Sequence, residues 1–363
     1  MKTARIIDIL PQCYSLFLPP FFKNPIPIES AATCRNCAML EKLDSHTNTS
    51  INFSAKTKCC THHPEIPNYL VGALMNSDDP EHETGRQRML NRIAGKTSIS
   101  PLGVFRPKKF TLLSRNSNLE YFGRSEFLRC PFHDDEGFCT VMPYWDAVCS
   151  TWFCKHDAGE EGWRFWRTLR TYLENLQKIL SRYVLLKMDF KPSISGLSND
   201  VSAPLTLQEL DDLPPPEPIY RESWGAWAGH EAEFYKQAYA MIRQLSQDEF
   251  ARIEGIEQKF LLRELEQAYG LLTTTALPER SMRNPALTVE KLSESSYLLS
   301  GYSPFDPLKI SKRLYDCLDS FDGSITNQDV IRLCHEQHEV RLSEDILKKL
   351  HRFRILIATG ETR

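Results

Sequence analysis

Residues 130–154 read CPFHDDEGFCTVMPYWDAVCSTWFC, and the spacing Cys130-x8-Cys139-x9-Cys149-x4-Cys154 decides how the first half of this chain is organised. Thiols gathered this closely are what a thiophilic metal requires. Zinc takes four sulfur or imidazole ligands in a tetrahedron, and an iron–sulfur cluster takes four thiolates. Upstream stands a second group, Cys34-x2-Cys37 followed by the adjacent pair Cys59-Cys60. Together the two groups hold eight of the eleven cysteines. Two intervening residues let a turn aim Cys34 and Cys37 at one metal. Consecutive side chains diverge in an extended chain, so Cys59 and Cys60 either serve different metals or one of them does not ligate. Lys56 and Lys58 beside them favour the thiolate form. His62, His63, His133 and His156 each lie within three residues of a clustered cysteine and are reserve ligands, although taken singly each reads as a hydrogen-bonded loop histidine. Cys13, Cys317 and Cys334 stand apart and read as small apolar core residues.

Composition bounds the rest. The chain has 363 residues, 41% of them hydrophobic and 25% charged, which is ordinary for a globular protein of about two domains. That length supports a core without disulfide staples, and an odd cysteine total fits poorly with a pure disulfide framework. A formal net charge of −3 provides no global basic field to recruit nucleic acid. No apolar run approaches the ~20 residues of a membrane span. Asp8 and Pro11 interrupt the apolar N-terminal stretch, so no signal peptide is expected and a cytoplasmic location is. Thiols stay reduced there, which favours metal over disulfide.

The cysteine segments resemble the YkgJ-type cysteine-cluster family, a zinc- or iron-chelating domain, over residues 31–158. The likeness is carried by Cys34-x2-Cys37, Cys59-Cys60, Cys130-Pro131-Phe132-His133, Cys139-Thr140-Val141-Met142-Pro143-Tyr144, Cys149 and Cys154. It implies that Cys34, Cys37, Cys59, Cys60, Cys130, Cys139, Cys149 and Cys154 form the metal-binding set. Two departures stand out. Asp146-Ala147-Val148 replaces the family's Arg-Pro, and the first group is stretched between Cys37 and Cys59. Trp152, Phe153, Trp163, Phe165 and Trp166 read as an apolar shell that excludes water from the site, in preference to the alternative of an aromatic substrate platform.

The organisation expected along the chain is mainly α-helical. Residues 1–30 form an extended lead-in and 31–158 the Cys-cluster domain. A helix over 159–190 packs on that domain, with Trp166, Leu169, Leu173, Leu176, Leu180 and Tyr183 as its apolar stripe. A Pro-rich linker covers 191–223. Residues 224–300 form a helical region whose last part, 274–300, is irregular. Within 224–273 one face carries Phe234, Ala238, Ile242 and Leu245, and a later one Phe260, Leu261, Leu265 and Tyr269. Residues 301–363 form a small unit of three helices, capped by Ser311, Thr326 and Ser343, ending in the strand Ile355-Leu356-Ile357. That order is similar to PqqD-like winged-helix domains, which bind a leader peptide by strand addition. Lys348, Lys349, Arg352 and Arg354 offer the rival, a phosphate-facing surface.

The chain lacks a P-loop, a dinucleotide fingerprint, an H-E-x-x-H zinc helix and a nucleophile elbow. The radical-SAM C-x3-C-x2-C run is also missing. Two functions remain. The leading one is a metal-binding protein holding an iron–sulfur cluster, or zinc, on eight cysteines and serving redox or peptide- or protein-modifying chemistry. The alternative is a non-enzymatic module in which zinc is structural and the C-terminal unit recruits a peptide or DNA partner.

Overall fold

The computed structural model of the chain describes residues 4–26, 37–40, 52–115, 121–190, 206–273 and 276–360. Its organising element is a 28-residue helix, α5 (Glu160–Lys187). Phe165, Trp166, Leu169, Tyr172, Leu173, Leu176, Leu180 and Val184 recur on its buried face at helical spacing. Tyr183, expected on that stripe, is only partly buried. Ahead of α5 come β1 (Ile66–Pro67), α1 (Asn68–Met75), α2 (Glu83–Ala94), β2 (Ile99–Ser100), β3 (Gly103–Val104), α3 (Lys108–Arg115) and α4 (Ala147–Thr151). After it come α6 (Leu207–Leu210), α7 (Glu217–Trp224), α8 (Glu231–Ile242), α9 (Gln247–Ile253) and α10 (Gly255–Thr273).

One apolar core joins these helices. Phe234, Ala238 and Ile242 of α8 are buried, as the apolar periodicity predicts. On α10 the prediction fails for Phe260, which is 61% exposed while Leu261 and Leu265 turn inward. Helices α1 and α8 approach so closely that a Cβ at Gly72 would lie 1.8 Å from the Tyr235 carbonyl oxygen. The N-terminal segment is not extended as expected. It winds into three short 3-10 turns, Ile6–Ile9, Gln12–Leu16 and Pro20–Lys23. Pro11 and Pro19 introduce the second and third turns with their fixed φ. Ile6, Tyr14, Phe17 and Phe22 from these turns enter the core, and the Tyr14 hydroxyl meets that of Tyr69 at 2.6 Å. Of the expected linker 191–223, residues 191–205 lie outside the described residues, and the remainder carries α6 and the start of α7. Pro216 precedes α7 and Pro218 sits in its first turn, where the missing N–H is no loss.

The region 274–300 is not irregular. It supplies β4 (Ser281–Arg283), β5 (Thr288–Ser293) and β6 (Ser296–Ser300), followed by β7 (Leu308–Ser311). The antiparallel order is β5-β6-β7. Helices α11 (Lys312–Cys317), α12 (Asn327–His338) and α13 (Glu344–Arg352) follow, and β8 (Leu356–Ala358) pairs antiparallel with β4. Short strands are stabilised by their cross-strand neighbours rather than by any long period, so the sequence pattern alone hid them. The three expected caps are present: Ser311, Thr326 and Ser343 accept from Leu314, Asp329 and Ile346 backbone N–H groups. Leu299, Ile310, Leu318, Val330, Leu347, Leu350 and Ile355 make a second, separate core. The molecule is mainly α-helical with small antiparallel sheets.

Candidate metal centre

Most of the described cysteines of the set ride on loops held by backbone bonds, and Cys149 sits on a short helix. Residues 54–61 form a turn laced to the loop at Gly123. The Thr57 hydroxyl donates to the Gly123 carbonyl at 2.7 Å, and the Gly123 N–H donates to Thr61 Oγ1 at 2.9 Å. Lys58 adopts a left-handed φ of 49°, and its buried ammonium donates to the Gly137 carbonyl at 2.8 Å. The acidic loop 134–138 is thereby pinned beside Cys59. Lys56, by contrast, points outward to Glu126 at 2.9 Å. The Cys130 N–H donates to the Cys60 carbonyl at 2.8 Å, which joins the two halves of the cysteine pattern. Cys139 is brought back to this strand by the antiparallel bridge His133↔Cys139 and the Thr140 N–H bond to the Phe132 carbonyl at 2.9 Å.

Helix α4 carries Cys149. Asp146 caps that helix, accepting from the Cys149 N–H at 2.8 Å, and its other oxygen accepts from the Glu65 N–H at 3.0 Å. His62 Nε2 lies 3.4 Å from the same carboxylate. One ligand atom each from His62, Asp146 and Cys149 lies within 4.8 Å of the others. Asp146 is a polar group the cysteine spacing did not single out as a ligand. Its signal in the sequence is a helix cap three residues before a cysteine.

The electrostatics sort the thiols into neighbours. Burial raises the Cys37 thiol above its ordinary value, and the nearby Cys59 adds to the rise. Burial pushes Cys154 up to about 12, with Cys59 and Cys37 contributing. Cys60 donates to the Cys59 sulfur, which lowers Cys59 and raises Cys60, and Cys60 is raised further by burial and by Cys130 and Cys139. Cys130 is pushed up to about 12 by burial and then by Cys139. Cys149 lies well above the thiol range through desolvation and then Asp146, Cys130 and Cys139. Two sets emerge, Cys37 with Cys59 and Cys154, and Cys60 with Cys130, Cys139 and Cys149. The contact between Cys59 and Cys60 joins them. Cys34 lies outside the described residues. The regrouping crosses the order of the sequence, since Cys154 joins the upstream set and Cys60 the downstream one.

Cations stand close by. The buried Arg92 guanidinium donates to the Thr97 and Phe105 carbonyls and feels the Cys130 sulfur, and Lys58 acts on Cys59. Both favour negative charge on sulfur. Of the reserve histidines, His62 alone joins the ligand-distance group. His63 stacks on Phe110 with ring centroids 3.6 Å apart, and its Nε2 lies 3.1 Å from the Arg129 carbonyl. His133 Nδ1 accepts from Arg129 Nε at 3.1 Å. The His156 N–H donates to Asp306 at 2.9 Å.

The aromatic residues wrap the Cys154 side. Trp152 Nε1 donates to Cys154 Sγ at 3.3 Å, Phe122 packs on Trp152 at 5.2 Å, and Phe153 packs on Trp166 at 4.3 Å. The cysteines outside the set lie elsewhere. Cys13 is in the main core, and Cys317 and Cys334 sit together in the C-terminal core, fully buried and as free thiols.

Compared with known proteins, the chain matches no family model, and neither the curated proteins nor the solved structures hold a significant match. No described helix is long and apolar enough to cross a membrane.

Proposed function

We propose that this protein binds thiophilic metal on its eight clustered cysteines, in two four-thiol centres, with an iron–sulfur cluster as the leading occupant. One centre draws on Cys34, Cys37, Cys59 and Cys154, the other on Cys60, Cys130, Cys139 and Cys149. The observation that carries this reading is the bond from the Cys130 N–H to the Cys60 carbonyl at 2.8 Å, which brings the two cysteine groups together. The donor set suits the group. None of the seven described cysteines of the set is in a disulfide, Lys58 and Arg92 act on Cys59 and Cys130, and Cys149 has ligand atoms of His62 and Asp146 within 4.8 Å. So many sulfurs raise one another's proton affinity, and a bound cation relieves that cost. A cluster so held supplies one-electron chemistry. The residues of the chain bind it, keep water from it through Trp152 and Phe122, and bias sulfur charge through Lys58 and Arg92.

Zinc is the second reading, favoured by the mixed donors His62, Asp146 and Cys149. In that case the metal is structural, and the C-terminal unit carries the function by recruiting a partner in the manner of a winged helix. Strand β5 lies at the edge of its sheet with an exposed backbone ladder, which suits a peptide added as a further strand. A nucleic-acid partner is less favoured. Arg352 and Arg354 turn toward Glu161 and Glu160 of α5 at 3.9 and 3.3 Å, and Lys348 pairs with Glu344 at 2.6 Å.

Anaerobic purification followed by metal analysis tests both. A brown protein absorbing near 400 nm with iron and sulfide supports the first reading, and a colourless protein with stoichiometric zinc the second. Protein that holds neither after anaerobic reconstitution rejects metal binding.

A further inference from the structure

Helix α5 presents Trp163, Trp166, Arg167 and Arg170 along one stripe, at the i, i+3, i+4, i+7 spacing of a single face. That stripe lines an open cleft of about 230 Å³, with Trp152, Phe305 and the Cys154 segment as its other walls. The walls are flat and aromatic, and the charged residues among the lining are arginines, with no carboxylate. The Arg167 guanidinium lies over the Trp163 ring at 4.5 Å. Arg170 Nε is buried without a hydrogen-bond partner, and the nearest carboxylate to it, Glu174, stands 3.6 Å away. Asp306, next to the Phe305 wall, already accepts from the His156 N–H and from the Tyr302 hydroxyl. The cavity therefore offers stacking surface beside two guanidinium groups, of which Arg170 is paired with Glu174 and Arg167 lies on Trp163.

We propose that this cavity binds a small planar aromatic anion, its ring against the tryptophans and its charge on Arg170 and Arg167. The volume falls below the roughly 300–1,000 Å³ of sites for drug-sized ligands, so the ring system is one or two rings wide. Guanidinium groups suit a planar carboxylate through parallel N–H bonds, and indole faces suit an aromatic ring. The cavity abuts Cys154, so a ligand seated there lies beside the upstream thiol set. Its binding chemistry does not depend on what that set holds.

Calorimetric titration of the full chain with 1-naphthoate tests the proposal, against 1-naphthalenemethanol as the neutral aromatic and cyclohexanecarboxylate as the non-aromatic anion. Saturable one-to-one binding of naphthoate is expected, at least tenfold tighter than either control. Arg170→Gln should weaken it about tenfold, and so, in a lesser degree, should Arg167→Gln, an exposed position whose change leaves the fold intact. Equal binding of the neutral compound would reduce the site to an apolar hole, and equal binding of the alicyclic anion to a basic patch. Either result overturns the proposal, as does the absence of saturable binding at millimolar naphthoate. Metal content measured on the same sample separates this proposal from the metal reading. Metal-free protein that binds naphthoate keeps the former and rejects the latter, and metal-loaded protein that does not bind rejects the former alone.

Discussion

The Cys130 N–H donates to the Cys60 carbonyl at 2.8 Å, so the downstream cysteine loop is fastened to the upstream Cys59-Cys60 pair. The turn from Ser54 to Thr61 makes this possible by curling the chain so that the Cys60 carbonyl receives Cys130. The consequence is that cysteines far apart in the sequence become neighbours.

The two proposed centres should respond separately to mutation. Cys37→Ser and Cys149→Ser should each remove about half of the bound metal and lower the melting temperature, because metal-binding energy is partly folding energy. The double variant Cys37→Ser/Cys154→Ser should lose no more metal than Cys37→Ser alone, while Cys37→Ser/Cys149→Ser should lose nearly all. Elemental analysis of the four proteins reads this directly, and equal losses in the two double variants would reject the assignment of Cys154.

Cys13, Cys317 and Cys334 serve packing. Their alanine variants should keep full metal content and lose about 1–3 kcal/mol of stability in urea titrations, the scale of a small core truncation. Metal loss in any of them would place that cysteine in the site.

The contact between α1 and α8 tolerates no side chain at Gly72. Gly72→Ala must push the helices apart against the Tyr235 backbone. A destabilisation of about 1–3 kcal/mol is expected from such overpacking, despite alanine's better helix propensity. Unchanged stability in chemical denaturation would show that the two helices separate freely.

His63 makes stability depend on pH. Burial against Phe110 holds its ring down to about 4, with the Arg129 carbonyl opposing, against roughly 6.5 in the unfolded chain. Between those values the unfolded chain carries a proton that the folded chain rejects. Stability from this residue is therefore complete above about pH 6.5 and is lost as pH falls toward 4, by at most about 1.4 kcal/mol per unit. His63→Gln should flatten the slope of unfolding free energy over that window, and an unaltered slope would exclude His63 as its source.

The C-terminal unit has its own core, but it begins earlier than residue 301. Strand β4 pairs with β8, and β5 and β6 complete the sheet of β7. A fragment of residues 276–363 should fold cooperatively without metal, whereas 301–363 should show weaker helical circular dichroism and no cooperative urea transition. Equal folding of both fragments would mean that the strands are dispensable.

Much of this architecture is local and was therefore legible in the sequence. Helix α5 follows from the recurrence of Trp166, Leu169, Leu173, Leu176 and Leu180, and the C-terminal helices from Ser311, Thr326 and Ser343, since period and caps act within a few residues. The clustering of cysteines was legible for the same reason, because spacing in sequence limits distance in space. The partners each thiol meets were not. They depend on where a left-handed Lys58 turn, an Asp146 cap and an antiparallel bridge at Cys139 carry loops that are far apart in the chain. Strands β4–β6 escaped notice because their stability comes from the strands facing them, and the exposed Phe260 because amphipathic period fixes a helix face but not what covers it. The aromatic density around Trp163 and Trp166 was visible as composition, whereas the place of Arg167 and Arg170 beside it was not. Only the fold, by laying Phe305 and Cys154 across the stripe, made it a cleft lined by guanidinium groups.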